Sequence, residues 1–242
     1  MVGAESSSKK DARTRILEAA ACEFDESGFS GARVDAIARR AGVNKAMLYY
    51  HVGNKSDLYE AVVLSWMDLL FAELGRRVPE SGDAEEKLAA LAGTFDALVR
   101  ENPHYPQILA REFSAGGRNL SRRVFERLAS LFKMEGTILS EGVREGRLRE
   151  VSPITLHLLL VVGTVMHHMA RQLRERAAEA GVKGMPPLPA SPAVVVADLL
   201  LNGLRPRPER PPRGKFQPPP RGPTRGAPAA HRTRIRKKEK PQ

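Results

Sequence analysis

The stretch VDAIARRAGVNKAMLYYHVGNKSDL, residues 34–58, decides the fold of this 242-residue chain. Its apolar residues Val34, Ile37, Ala41, Val43 and Leu48 fall on one face of two short helices, with a single break in the 3.6-residue period between them. Ala38 supplies the small side chain that two steeply crossing helices require where they meet. Gly42 stands where the first helix must end in a left-handed turn, a conformation costly for any residue with a Cβ. Asn44 then caps the second helix. Left outward on that helix are Lys45, Ala46, Tyr49 and Tyr50. A cation, a small residue and two phenols near a helix N-terminus have the makeup of a major-groove reader, so the pattern predicts a DNA-binding helix-turn-helix.

Downstream, residues 53–58 (GNKSDL) read as a turn, with Ser56 or Asp57 expected to cap a long helix running through Glu60, Trp66 and Phe71. Lys55 would stand at the N-terminus of that helix, where free N–H groups and an ammonium together suit a DNA phosphate. The alternative for Lys55 is a solvated turn lysine. Arg33, ahead of the motif, offers a phosphate contact in place of a cap. The candidate DNA-contacting set is Arg33, Asn44, Lys45, Ala46, Tyr49, Tyr50, His51 and Lys55.

Ile37-Ala38, Ala41-Gly42-Val43, Leu48-Tyr49-Tyr50-His51 and Lys55 with Leu58 resemble the signature of the tetracycline-repressor (TetR) family of one-component transcription regulators. Upstream, Thr14-Arg15-Ile16-Leu17-Glu18-Ala19-Ala20, Phe24 and Gly28-Phe29 are similar to that family's first helix and its closing turn. The resemblance is dense over residues 11–60 and departs from the pattern at Arg33, often Thr or Ser in the family, and at Ala46, often Gly. It implies a homodimeric repressor on a palindromic operator in double-stranded DNA. Its last two helices would form a four-helix bundle with the partner's, holding two reading heads about one DNA turn, roughly 34 to 36 Å, or a multiple apart. It also implies a small-molecule effector that enters a cavity in the helical regulatory domain and moves the helix of residues 56–78.

Composition agrees with such a chain. Its length suffices for one or two domains with a real core. The single cysteine, Cys22, lies in the first helical pattern and reads as packing, so no disulfide forms within one chain and a reducing cytoplasm is the expected setting. MVGAESSSKK at the start lacks the apolar core of a secretory signal. The longest apolar run, residues 154–166, contains His157 and falls short of the roughly 18 residues of a membrane span, so no membrane is expected as a partner. Although the net charge is +11, residues 205–242 hold 13 Lys and Arg against two Glu, which leaves the remainder neutral. DNA affinity of the first domain is therefore argued from local geometry and not from global charge. The same tail carries 10 of the 18 prolines and few large apolar residues, Phe216 and Ile235 excepted, and is expected to be disordered. An alternative function follows from it: an architectural nucleic-acid-binding protein that acts through the basic tail while the helical body only dimerises.

Between the ends the chain reads as all-α, about nine helices with prolines near starts and glycines near ends. The expected organisation is a flexible N-terminus over 1–10, a three-helix helix-turn-helix domain over 11–57, a helical ligand-binding and dimerisation domain over 58–204, and the tail over 205–242. On the helix of residues 120–145, Val124, Leu128, Leu131, Ile138 and Leu139 form the buried side. Residues 154–169 are apolar around nearly the whole helical circumference and must be covered on more than one side, which suits the seam of a homodimer. Candidate cavity residues are Trp66, Leu70, Phe95, Ile108, Phe113, Phe132, His157 and His168. Only His157, Thr164 and His168 bring polar groups inward from the apolar helix, which favours an apolar or weakly polar ligand. His157 and His168 are eleven residues apart, about 16 Å by helix rise, too far to share one metal ion, and adjacent His167 and His168 point apart. With no glycine-rich phosphate loop, nucleophile elbow or acid pair at useful spacing, no catalytic residue, cofactor or metal is expected.

Overall fold

A computed structural model describes residues 2–189 and 191–206 of the chain, with side chains from Ala12 onward. Among these residues the fold is all-helical, with nine helices and no strand: α1 (Val2–Gly31), α2 (Val34–Ala41), α3 (Lys45–Val52), α4 (Lys55–Arg77), α5 (Ala84–Glu101), α6 (Tyr105–Ser114), α7 (Arg122–Arg144), α8 (Pro153–Glu179) and α9 (Pro192–Leu204). The expected disorder of the basic tail falls on residues 207–242, outside the described residues.

Helices α1, α2 and α3 pack on one another around Ile16, Ala20, Phe24, Ile37, Ala38, Ala41 and Leu48, all buried. Residues 2–10, expected as a flexible lead-in, continue α1 as helix; no proline or glycine interrupts the chain between Ala4 and Ser27. The break comes at Gly28 (φ 66°, ψ 175°), the expected closing turn. Gly42 ends α2 in the left-handed conformation (φ 66°, ψ 35°), and Asn44 caps α3 by accepting the Met47 N–H at 2.7 Å. The cap of α4 is corrected by the structure. Asn54, not Ser56 or Asp57, stands in the extended conformation ahead of the helix and accepts from the Ser56 and Asp57 N–H groups. The Asp57 carboxylate in turn accepts the Asn54 N–H at 2.9 Å, which completes a capping box.

Helix α4 runs from this head into the body, where it packs on α5 and α7. α5 is the most enclosed helix, covered by α4, α7, α8 and α9, and buries Leu88 and a nearly continuous set from Leu91 to Val99. α6 touches both α1 and α8 and so joins head to body. α8 contains an 18-residue window of mean hydropathy 1.4 and, by length and composition alone, is long enough to cross a membrane, contrary to the limit inferred from the apolar run. Its inner face, with Leu156, His157, Leu160, Thr164 and Val165, is buried against neighbouring helices. Its outer face leaves Ile154, Leu158, Leu159, Val162 and Met166 exposed, and α9 adds Val194, Val195 and Leu199. Arg205 belongs to the same unit as the helices, which runs to Pro206, and its guanidinium pairs with Glu85 of α5 at 3.0 Å.

Candidate functional site

The reading head is braced from α1. Arg13 Nη1 donates to the His51 carbonyl at 3.0 Å and Arg15 Nε to the Ala41 carbonyl at 3.2 Å, so two arginines satisfy orphan C-terminal carbonyls of α3 and α2. At the other end of α2, the Arg33 N–H donates to the buried Glu23 carboxylate at 3.1 Å while the Arg33 side chain stays exposed. These contacts fix α3 relative to α1 without using its outward surface. Tyr49 and Tyr50 are exposed at 43 % and 72 %, and Lys45, Ala46 and Met47 are exposed beside them. Lys45 is engaged by Asp35 of α2 at 2.9 Å, a carboxylate that holds its ammonium above the usual lysine range. His51 is half-buried with its ring edge-on to Tyr50, and the Asn44 side chain is committed to its cap. Lys55 does not face away from the protein. Its ammonium donates to the Ser30 carbonyl at 3.1 Å and lies 5.1 Å from the centre of the Phe29 ring, so it closes the end of α1.

Inside the body lies a cavity of about 90 Å³. Trp66 and Leu70 of α4, Phe95 of α5, Ile108 of α6 and His157 of α8 all line it. Phe132 sits behind His157, edge-on at 5.0 Å, outside the lining. Phe113 is corrected: it is 66 % exposed, because α6 turns Ile108 and, four residues on, Glu112 inward and carries Phe113 to another side. His168 is corrected as well. Three turns along α8 from His157, it lines a separate space of about 160 Å³ with Arg100 and Gln107. There its Nε2 meets buried Asp96 at 3.1 Å, and Ser191 donates to the same carboxylate at 2.7 Å, tying α5, α8 and the start of α9 together.

The sequence reading missed two buried acids. Glu112, on the cavity wall, accepts the Tyr59 hydroxyl and the Asn119 amide on one oxygen, both at 2.7 Å. Burial and this hydrogen bond push the Tyr59 phenol far above its usual range and keep it a donor. Glu135, fully buried on α7, meets His157 Nδ1 at 2.9 Å; burial pushes its carboxyl up and the histidine opposes the shift. Helical spacing could have found both, since Ile108 and Glu112 are four apart, as are Leu131 and Glu135. Among the described residues no group of three or more His, Cys, Asp or Glu could hold a metal ion.

Residues 16–62, which span the α1–α3 head and the start of α4, match the family model described as bacterial regulatory proteins, tetR family. Over 207 residues the chain is 27 % identical to the nucleoid occlusion factor SlmA of Marinomonas sp., covering 81 % of this chain and 99 % of that one. It is 29 % identical over 170 residues to the transcriptional regulator RutR of Escherichia coli K12, covering 68 % and 74 %. The fold is similar to that of the transcriptional regulator FadR of Bacillus subtilis solved in complex with stearoyl-CoA, with a TM-score of 0.62, 19 % identity and coverage of 79 % of this chain and 99 % of that one. A helix-turn-helix head with a matching family signature on an all-helical body identifies this chain as a member of the tetR family, a DNA-binding transcriptional regulator.

Proposed function

We propose that the chain is a cytoplasmic homodimeric repressor that releases a palindromic operator when a small, largely apolar ligand fills the cavity of its helical body. The observation that carries this reading is the double role of α4. Its first turn is capped by Asn54 directly after α3, while Val63, Trp66, Met67 and Leu70 of the same helix form one wall of the cavity. An occupant that displaces this wall therefore moves the segment against which the reading helix is seated.

In the bound state Lys45, Ala46, Tyr49 and Tyr50 face base edges, and Arg33 meets a phosphate. Asn44, His51 and Lys55 act by holding the head in shape, and Lys55 reaches a phosphate only after leaving Ser30. Dimerisation uses the exposed apolar face of α8 and α9, which gives that face a cover other than lipid. FadR of Bacillus subtilis, solved in complex with stearoyl-CoA, supports a ligand-responsive body of this kind.

The test is selection of bound fragments from random duplex DNA by the purified full-length protein at physiological salt, followed by mobility shifts. A recovered palindrome whose binding is lost in Tyr49→Ala is the expected result. Recovery of no enriched motif would defeat the reading and leave binding through the basic tail as the better account.

A further inference from the structure

Two residues that line the cavity each carry a buried polar atom with no hydrogen-bond partner among the described residues: Glu112 at Oε2 and Trp66 at Nε1. Both residues are 95 % buried, since each retains 5 % of its exposure. A buried acceptor and a buried donor left unmade each carry a desolvation cost that the surrounding apolar side chains do nothing to relieve. Glu112 cannot turn its free oxygen elsewhere, because Tyr59 and Asn119 both hold the other one. Trp66 is fixed as well, stacked on Tyr105 with ring centres 5.6 Å apart.

Resting on the reading of this cavity as the effector site, we infer that its ligand is a neutral molecule with an apolar body and one head group that both donates and accepts a hydrogen bond. An alcohol, a phenol or a carboxamide fits: its O–H or N–H donates to Glu112 Oε2 and its oxygen accepts from Trp66 Nε1. A carboxylate head offers no donor and meets the Glu112 charge. An alkylammonium head satisfies Glu112 and leaves Trp66 without an acceptor. The same carboxylate carries the signal outward. The Tyr59 hydroxyl bonds Glu112 from α4, while the Tyr59 ring lies edge-on to Phe24 and Phe29 of α1, 4.8 and 5.1 Å between centres. A head group that draws on Glu112 thus pulls on the α4 residue whose ring is packed against α1 of the reading head.

Trp66 is the only tryptophan in the chain, so its emission reports on this cavity alone. The experiment titrates the full-length protein at neutral pH with n-hexanol, hexanamide, hexanoate and hexylammonium, reading indole fluorescence and checking affinities by calorimetry. Hexanol and hexanamide are expected to bind at least about tenfold more tightly than the other two, the size of one buried hydrogen bond, and to shift the emission to longer wavelength. In Glu112→Gln, Tyr59 and Asn119 hold the amide oxygen and turn the NH₂ into the cavity, so the preference should invert toward hexanoate. Trp66→Phe, followed by calorimetry, should weaken hexanol by about tenfold without inverting anything. Hexanoate or hexylammonium matching hexanol on the wild type would overturn the assignment, as would an unchanged preference in Glu112→Gln or no binding of any probe. Mobility shifts with operator DNA separate the two levels: hexanol that binds with the expected preference but never releases DNA sustains the ligand class and defeats the repressor reading.

Discussion

Lys45 and Asp35 meet on the outward side of the reading head, and the pair sets a competition that DNA must win. Both side chains are more than half exposed, so their attraction adds little to stability. Beside a phosphate backbone, however, the carboxylate both occupies the lysine and repels the ligand. Asp35→Ala should therefore tighten operator binding several-fold with a near-unchanged melting temperature, measured by fluorescence anisotropy alongside a thermal melt; weaker binding would show that Asp35 orients Lys45 toward the DNA. Asn44→Ala should behave oppositely and lose about 1 kcal/mol of stability with its cap. These roles were legible because capping and left-handed glycine are local rules, as Asn44 and Gly42 illustrate. At α4 the same rules left several capping residues within a few positions, and only the backbone conformation at Asn54 chose among them. Glu135 was harder still, since an acid on the buried seam reads as a polar interruption. Its pH signature is distinct. Burial raises its folded pKa, so the folded state keeps the proton longer than the unfolded chain does. That contribution to stability is full below the ordinary carboxylate value of about 4.3 and is lost as pH rises through the folded value. Denaturant unfolding across this range should show the decline in wild type and a flatter profile in Glu135→Gln.

At the scale of elements, α4 matters most because it belongs to head and body at once. α7 grips it from outside through Arg123 with Glu60 at 3.2 Å and Arg127 with Asp68, and the Arg127 guanidinium also lies 4.9 Å from the centre of the Phe71 ring. These ion pairs stand on the wall of an open, polar cleft of about 810 Å³ that also includes Arg13 and His51 of the head. Any displacement of α4 by a ligand must slide past them. Arg127→Ala is expected to change stability little, because the ion pair is exposed, yet to lower the ligand concentration needed for DNA release several-fold. Parallel melts and mobility-shift titrations would check this; an unchanged release curve would place the moving part elsewhere. Helix positions were readable from prolines, glycines and the apolar period. The cavity was readable only in part: Trp66, Leu70, Phe95, Ile108 and His157 line it and Phe113, Phe132 and His168 do not, since helices α4 to α8 all contribute to it and no linear pattern records which neighbours leave a gap.

For the whole molecule, the decisive question is what covers the apolar face of α8 and α9. Leu159 is 53 % exposed, Leu199 67 % and Val194 72 %, a concentration of apolar surface that a monomer rarely leaves to water. If the proposed dimer is seated on this face, Leu199→Glu should give a monomer in sedimentation experiments and, because two half-sites are then no longer read together, weaken operator binding far more than removal of any single phosphate-binding side chain. A variant that remains dimeric would assign the seam to another surface. The same measurement bears on the tail, provided the truncation respects the fold. Cutting after Leu204 removes Arg205 and with it the ion pair to Glu85, and leaves Arg149, which donates to the Leu204 and Gly203 carbonyls, holding a frayed end. Cutting after Pro206 keeps these ties and removes residues 207–242 alone. If the head supplies specificity and the tail only touches phosphates, the protein ending at Pro206 should stay dimeric and keep the operator preference. Its affinity should vary less steeply with salt, the log–log slope falling by about 0.9 for each phosphate that the tail no longer neutralises. A change in the preference itself would mean that the tail takes part in reading the sequence.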